Sequence, residues 1–218
     1  AERVAGPASQ GLVGDYFMRN DKVRIIVQAP NRAIGPCPFG GNVIDADRVV
    51  DPAGDQLGEV SAFLQLRRTF AFDRAEVVRD GHKGGPAVLR FFGHDAKNDF
   101  IDVIGLGGFA LAVQDDFRAD VDLKLQAAVT YILMPGETRL RVIYTMYNRG
   151  DVDEKTTWGS LSDTGAQIEP FHPTGGFGEA DITDVLSGGN PPGTYAALLG
   201  RGIAYGLTAP GDTTAAFP

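Results

Sequence analysis

The sequence predicts an all-β protein, an antiparallel β-sandwich with little helix. Three observations carry the prediction. First, Val121 to Leu133 keeps apolar residues at every odd position, with Asp122, Lys124, Gln126 and Thr130 between them. Successive strand side chains point to opposite faces, so the arm has one dry and one wetter face. Second, Met134-Pro135-Gly136-Glu137 is a turn, with Pro fixing φ and Gly free to take positive φ. The return arm, Arg139 to Tyr147, carries Leu140, Val142, Tyr144 and Met146 on one face. Each arm spans roughly 30–40 Å at about 3.3 Å per residue, long for a strand and suited to a large sandwich. Third, the other strong apolar runs are short and separated by hairpin-length turn signals.

The remaining elements follow in order. Residues 1–11 are small and polar and read as a flexible lead-in. Gly14 to Met18 and Lys22 to Gln28 are two strands around the turn Arg19-Asn20-Asp21. Ala29 to Gly41 holds three Pro and three Gly and is loop. Asn42 to Val50 opens as a strand and meets an acidic stretch. Leu57 to Leu66 has roughly helical spacing at Leu57, Val60, Phe63 and Leu64, with a strand or irregular turn as the alternative. Ala75 to Arg79 and Ala87 to Gly93 form a hairpin around Asp80 to Gly85, and Phe100 to Ile104 is extended. Past the central hairpin, Thr156 to Leu161 is a further strand. Asp163 to Gly193, rich in Gly, Pro, Asp and Thr, is expected to be a long irregular crossing, the kind of loop that carries function. Tyr195 to Leu199 and Ile203 to Leu207 close with a hairpin. Residues 12–210 thus form one β-sandwich domain and 211–218 a linker-like tail.

Composition narrows the function classes. A net charge of −8 over 218 residues argues against nucleic acid and anionic membrane surfaces, both of which need basic patches. No apolar run reaches the ~20 residues of a membrane span. The single cysteine, Cys37, lies in the stiff loop Gly35-Pro36-Cys37-Pro38 without a neighbouring His, which reads as structural rather than nucleophilic. The start at Ala1 and the linker-like end suggest a mature portion of a longer protein, secreted or periplasmic and bacterial.

Candidate chemistry is sparse. His82, His94 and His172 show no zinc-ligand spacing. No stretch matches a phosphate loop, a dinucleotide fingerprint or a nucleophile elbow. The segment Glu169 to Glu179 combines His172, two carboxylates, Phe171 and Phe177, the ingredients of proton transfer or sugar stacking. In a catalytic reading His172 is the acid and Glu169 or Glu179 the base. In a binding reading Tyr16, Trp158, Phe171 and Phe177 stack on a ligand, while Asp163, Glu169 and His172 hold its polar groups. Asp45, Asp47 and Asp51, with Asp55, offer hard oxygen ligands to Ca²⁺, without EF-hand spacing; no other cofactor is expected. Asp115, Asp116, Asp120 and Asp122 form another acidic cluster, and Asp181 and Asp184 a third.

Certain motifs resemble a known family. Asp15-Tyr16, then Asn20 to Val27, then Gly40-Gly41-Asn42-Val43-Ile44-Asp45 resemble the opening of galactose-mutarotase-like β-supersandwich domains. There a hairpin leads to a strand of the form Gly-Gly-x-hydrophobic-Ile-Asp. Leu140 to Tyr147 followed by Asn148-Arg149-Gly150-Asp151 resembles a later strand and turn of such domains. The combination is similar to β domains found N-terminal to carbaryl-hydrolase-like metallohydrolases of the PHP type in myxobacteria and relatives. The resemblance implies a supersandwich fold, with His172 and Glu179 as stand-ins for the mutarotase acid and base. Metal ligands of an accompanying metallohydrolase would lie beyond Pro218.

Three functions follow as expectations. The leading one is a non-catalytic, secreted module that binds a carbohydrate-like ligand or docks a neighbouring domain. The second is a mutarotase- or lyase-like sugar enzyme. The third is a structural subunit or homo-oligomer built by strand addition at an unpaired edge.

Overall fold

The computed structural model describes residues 4–50, 54–64, 68–98, 122–154, 156, 158–164, 168–173, 176–178 and 195–208. Among these residues there is no helix, and thirteen strands account for the regular structure. In chain order they are β1 (Tyr16–Arg19), β2 (Val23–Val27), β3 (Val43–Arg48), β4 (Leu57–Leu64), β5 (Arg68–Asp80), β6 (Ala87–Lys97), β7 (Leu125–Leu133) and β8 (Leu140–Asn148). They continue with β9 (Trp158–Thr164), β10 (Glu169–His172), β11 (Gly176–Phe177), β12 (Tyr195–Leu199) and β13 (Ala204–Thr208). All pairings are antiparallel, and the protein is an all-β, sandwich-like fold with a large and a small sheet.

The nine-stranded sheet runs β1 to β8 in sequence order, with β9 added on β4. β4 is its pivot. Val60 pairs with Val43 of β3 and with Ser162 of β9, and Leu64 pairs with Arg68 of β5 and with Trp158 of β9. β3 and β5 therefore share one edge of β4 while β9 takes the other. The sheet divides at that shared edge, and the β5–β8 half closes over β1–β3. One core lies between the halves, with Met18, Ile25, Val27 and Val43 from one side and Phe70, Phe72, Phe91, Val129 and Tyr131 from the other. Phe91 is the hub. Its ring meets Tyr16, Phe72 and Tyr131 edge-on, with centroids 5.5, 5.8 and 6.0 Å away. Such pairs add about 0.5–1.5 kcal/mol each beyond their buried area.

Polar ties fix the closure. Asn20, in the β1–β2 turn, donates its amide to the carbonyls of Met134 and Glu137 in the β7–β8 turn, each at 2.7 Å. The Tyr131 hydroxyl donates to the Gly41 carbonyl at 2.7 Å. Gly41 has φ +76°, and a Cβ there would meet the Phe72 ring, so only glycine suits this approach.

The alternation from Val121 to Leu133 gives β7 its buried Leu125, Ala127, Val129, Tyr131 and Leu133. Its β8 partner pairs in full register, from Leu125 opposite Asn148 to Leu133 opposite Leu140. The ambiguous Leu57 segment is strand β4. The predicted Ala75–Gly93 hairpin is longer than expected, since β5 begins at Arg68 and β6 runs to Lys97. Residues 4–11, expected as a flexible lead-in, are bonded to the first sheet. Val4 is buried, Ala8 N–H donates to the Asp55 carbonyl, and Gln10 and Gly11 donate their N–H groups to the Asp45 carboxylate. The expected extended run Phe100 to Ile104 lies outside the described residues.

The stretch Asp163 to Gly193 is not simply irregular. It contains the end of β9 and all of β10 and β11, which join β12 and β13 in a four-stranded sheet ordered β11-β10-β12-β13. Pro170 lies inside β10 and Gly176 opens β11, which is why composition alone suggests loop. This second sheet sits on the first through Tyr205. Its hydroxyl donates to the Ala46 carbonyl at 2.9 Å and contacts Asp55 Oδ1 at 3.2 Å, while it accepts from Gln56 N–H at 2.9 Å. Arg48 donates to the Gly202 carbonyl at 2.6 Å.

Candidate functional site

The four-stranded sheet brings two of the sequence-predicted aromatic residues together. Phe171 on β10 pairs with Phe177 on β11 and with Ala197 on β12. Registered partners project to the same face, so both rings stand side by side, with centroids 4.9 Å apart. Tyr195, two residues before Ala197, is on this face as well, and its ring stacks on Phe171 at 6.3 Å with only 24° between the planes. Glu169 is exposed two positions before Phe171 and pairs with Leu199. The opposite face is the dry one, with Ala196 and Leu198 buried.

Phe177 is 60% exposed and Tyr195 39%. Three adjoining aromatic rings on an open sheet face, beside a carboxylate, form a platform for the apolar face of a ligand that also offers hydroxyl groups. Sequence reasoning named Phe171, Phe177 and Glu169 but missed Tyr195. Its signal was the alternation of the last hairpin, which puts Tyr195 and Ala197 on one face and Ala196 and Leu198 on the other.

The other predicted site residues are elsewhere. Tyr16 packs on Phe91 between the two halves of the large sheet. Trp158 on β9, 47% exposed, meets Tyr144 of β8 edge-on at 5.7 Å. Asp163 lies on β9, where its backbone pairs with Glu59 of β4. His172 ends β10, its backbone opposite Gly176. Glu179 and Asp51 lie outside the described residues, as do the acidic residues Asp115, Asp116 and Asp120 and the pair Asp181 and Asp184.

Asp45 and Asp47 are buried on β3 and engaged by the protein itself. Asp45 accepts from the Gln10 and Gly11 N–H groups at 2.7 and 2.9 Å. Burial raises its pKa against the lowering effect of those two bonds. Asp47 accepts from the Arg24 guanidinium at 3.0 Å, from Gly54 N–H at 3.1 Å and from Arg48 N–H at 2.7 Å. Asp55 accepts through Oδ1 from Ala46 and Leu57 N–H and contacts the Tyr205 hydroxyl, while its Oδ2 is buried without a partner. Among the described residues no three His, Cys, Asp or Glu side chains are grouped so as to hold a metal ion.

Cys37 is buried, its thiol 3.4 Å from the Thr69 hydroxyl, and burial raises its pKa. Its N–H donates to Glu59, which also accepts from Asn42 at 2.6 Å. This buried network pins the Pro- and Gly-rich loop 29–41 to β4. Among the described residues no helix is long and apolar enough to cross a membrane.

Compared with protein-family models, with curated proteins and with solved structures, the chain matches none.

Proposed function

We propose that the protein is a non-catalytic module that binds a carbohydrate-like ligand on the exposed face of the four-stranded sheet. The observation that carries this reading is the cluster of adjoining rings formed by half-buried Phe171 with exposed Phe177 and Tyr195. The C–H face of a pyranose ring lies flat on such rings, and the Glu169 carboxylate accepts hydrogen bonds from the sugar's hydroxyl groups. The likeness of the Gly40–Asp45 and Asn148–Asp151 motifs to galactose-mutarotase-like domains points to the same ligand class and to a secreted, bacterial, multidomain setting, in which the module positions a neighbouring domain on its substrate. Acid–base catalysis through His172 has no comparable support, because it rests on residue types and their nearness in sequence.

A glycan array followed by calorimetric titration of the best glycans tests the reading. The wild-type chain should bind, and Phe177→Ala and Tyr195→Ala should each weaken binding at least about fivefold, since removing a stacking ring costs about 1–3 kcal/mol. Both rings are exposed, so both variants should keep wild-type stability. An array without hits, or equal binding by the variants, refutes the assignment.

A second reading rests on β8. It ends the large sheet and exposes Val142, Ile143 and Tyr147 along a nine-residue edge strand. Such an edge accepts a strand from another copy. Light scattering on an eluting column should then show a dimer that Val142→Lys disperses, and a monomer at all concentrations would exclude it.

A further inference from the structure

The outer face of β5–β8 carries a groove of about 360 Å³, remote in sequence from the aromatic platform and independent of it. Strand register builds it. Ala128 of β7 lies between Phe92 of β6 and Thr145 of β8, and in the next row Gln126 lies between His94 and Tyr147. Ala128 is thus a small floor with the Phe92 ring beside it in its own row and the Tyr147 ring diagonally across in the next. Strands β6 and β8 are two spacings apart, about 10 Å. A flat ring in contact with both walls needs about 7 Å between them, at about 3.5 Å per contact. The dimensions suit one planar ring.

Two arginines stand at the groove. Arg74 lies over the Phe92 ring, its guanidinium carbon 3.8 Å from the centroid. A β-bulge between Phe72 and Arg74 takes Asp73 out of the ladder; its carboxylate also lines the groove, where it contacts His94 Nδ1 at 3.2 Å. Arg149 sits 5.9 Å from the Tyr147 ring and donates to Gln126 at 3.1 Å. Elsewhere, Lys22, Arg24, Arg32, Arg68, Lys124, Arg139 and Arg141 each face a carboxylate. Among the described residues Arg74 and Arg149 have no such partner, as is also true of Arg48, Arg79, Lys83, Arg90 and Arg201; what sets the two apart is their place at the groove beside Phe92 and Tyr147. Arg74 lines the groove and Arg149 stands next to it, bonded to Gln126, while Tyr147, the outer wall, is 62% exposed. Guanidinium groups in this setting offer fork-shaped donors to a carboxylate or phosphate.

We propose that this groove binds a flat aromatic ligand carrying a carboxylate or phosphate group, the ring resting over Ala128 between Phe92 and Tyr147 and the anion within reach of Arg74 and Arg149. Neither half of such a ligand suffices. The ring alone leaves the guanidiniums in water, and the anion alone leaves the slot empty.

The test is nuclear magnetic resonance titration of the isotope-labelled full chain with phenyl phosphate and benzoate. Benzyl alcohol and inorganic phosphate serve as the two half-ligands. At least one of the complete probes should shift the amides of Phe92, Ala128, Thr145 and Tyr147 with a Kd near or below about 1 mM, and each half-ligand should bind at least about tenfold more weakly. Which complete probe binds tighter tells phosphate from carboxylate preference. Arg74→Gln and Arg149→Gln, both on the surface, should each weaken the better probe about tenfold, the loss of one charge-assisted contact. Ala128→Phe should fill the slot and abolish binding. The proposal is overturned if benzyl alcohol binds as tightly as the complete probes, if shifts map to another surface, if both arginine variants bind like wild type, or if no complete probe binds below about 10 mM.

Discussion

Asp55 gives this protein a pH dependence that can be worked out from its surroundings. Its side chain is fully buried where four segments meet. It bonds to Ala46 of β3, to Leu57 of β4 and to Tyr205 of β13, and its backbone bonds to Ala5 and Ala8. Burial, opposed by the N–H donor of Ala46 and reinforced by the nearby Asp45, pushes its carboxyl up to about 7 from an ordinary 3.8. The other ionisable groups facing it are Asp47 and Tyr205; burial raises the Tyr205 hydroxyl as well. Between the two carboxyl values the folded protein holds a proton that the unfolded chain has released. The stability contributed by this group is therefore fully present below about pH 4, falls at up to about 1.4 kcal/mol per pH unit, and is lost above about pH 7. The full difference is on the order of 4 kcal/mol, a large part of the 5–15 kcal/mol that holds a typical domain together. Asp55→Asn keeps an acceptor for Ala46 and Leu57 and removes the titration. Urea unfolding of wild type and variant from pH 5 to 9 isolates this group from all others. The variant's curve should lose the downward limb, so that its stability relative to wild type is greater at pH 8 than at pH 5. If the two curves stay parallel across that range, Asp55 is ionised in the fold and the reasoning is wrong.

Other perturbations follow from buried contacts. Asp95 receives the Arg68 guanidinium and the N–H groups of Leu123 and Leu125, with both side chains of the ion pair buried. Asp95→Ala takes the buried carboxylate from that guanidinium and frees the start of β7, so urea unfolding should show a loss of about 3–5 kcal/mol. Phe91→Ala opens a void at the hub of four rings and should cost about 3–5 kcal/mol by the same measurement. Gly41→Ala forces a side chain into the Phe72 ring at positive φ; thermal unfolding should show a midpoint lowered by several degrees, at about 1–3 kcal/mol of backbone strain.

The legible part of the fold was the part written in local alternation. Leu123 to Leu133 announces β7 because every second residue is buried in the core. The Pro135-Gly136 turn fixes its register with β8. β10 and β11 were illegible because four- and two-residue strands carry too few residues to show a period, and they lie among Gly and Pro. The candidate sites divide along the same line. Phe171 and Phe177 are near in sequence, so their meeting could be guessed, whereas Tyr195 reaches them only through the β10–β12 pairing. The groove was invisible in the sequence. Its walls come from β5, β6, β7 and β8, and one residue of slip in any pairing would turn Phe92 or Tyr147 to the other face.

The acidic residues teach a related point about reading chemistry from residue type. Asp45 and Asp47 were candidates for calcium because a run of acidic residues offers hard oxygen ligands. In the fold each accepts backbone N–H groups: Asp45 from Gln10 and Gly11, Asp47 from Arg48 and Gly54. Asp15 does the same for Leu12 and Ala29, Asp55 for Ala46 and Leu57, Glu59 for Cys37, and Asp95 for Leu123 and Leu125. The cause is topological. Loops that press against a sheet bring N–H groups away from water with no ladder to receive them, and each needs an acceptor. A buried carboxylate supplies two oxygens and several lone pairs at one point, enough to hold two neighbouring N–H groups at once. Acidic residues that look like a ligand shell in one dimension thus fasten loops in three. Asp47, beside Arg24, and Asp95, beside Arg68, have a cation to balance them. Asp55 is held by N–H groups and a hydroxyl alone; its burial, reinforced by nearby Asp45 and only partly offset by those bonds, pushes its carboxyl up to about 7.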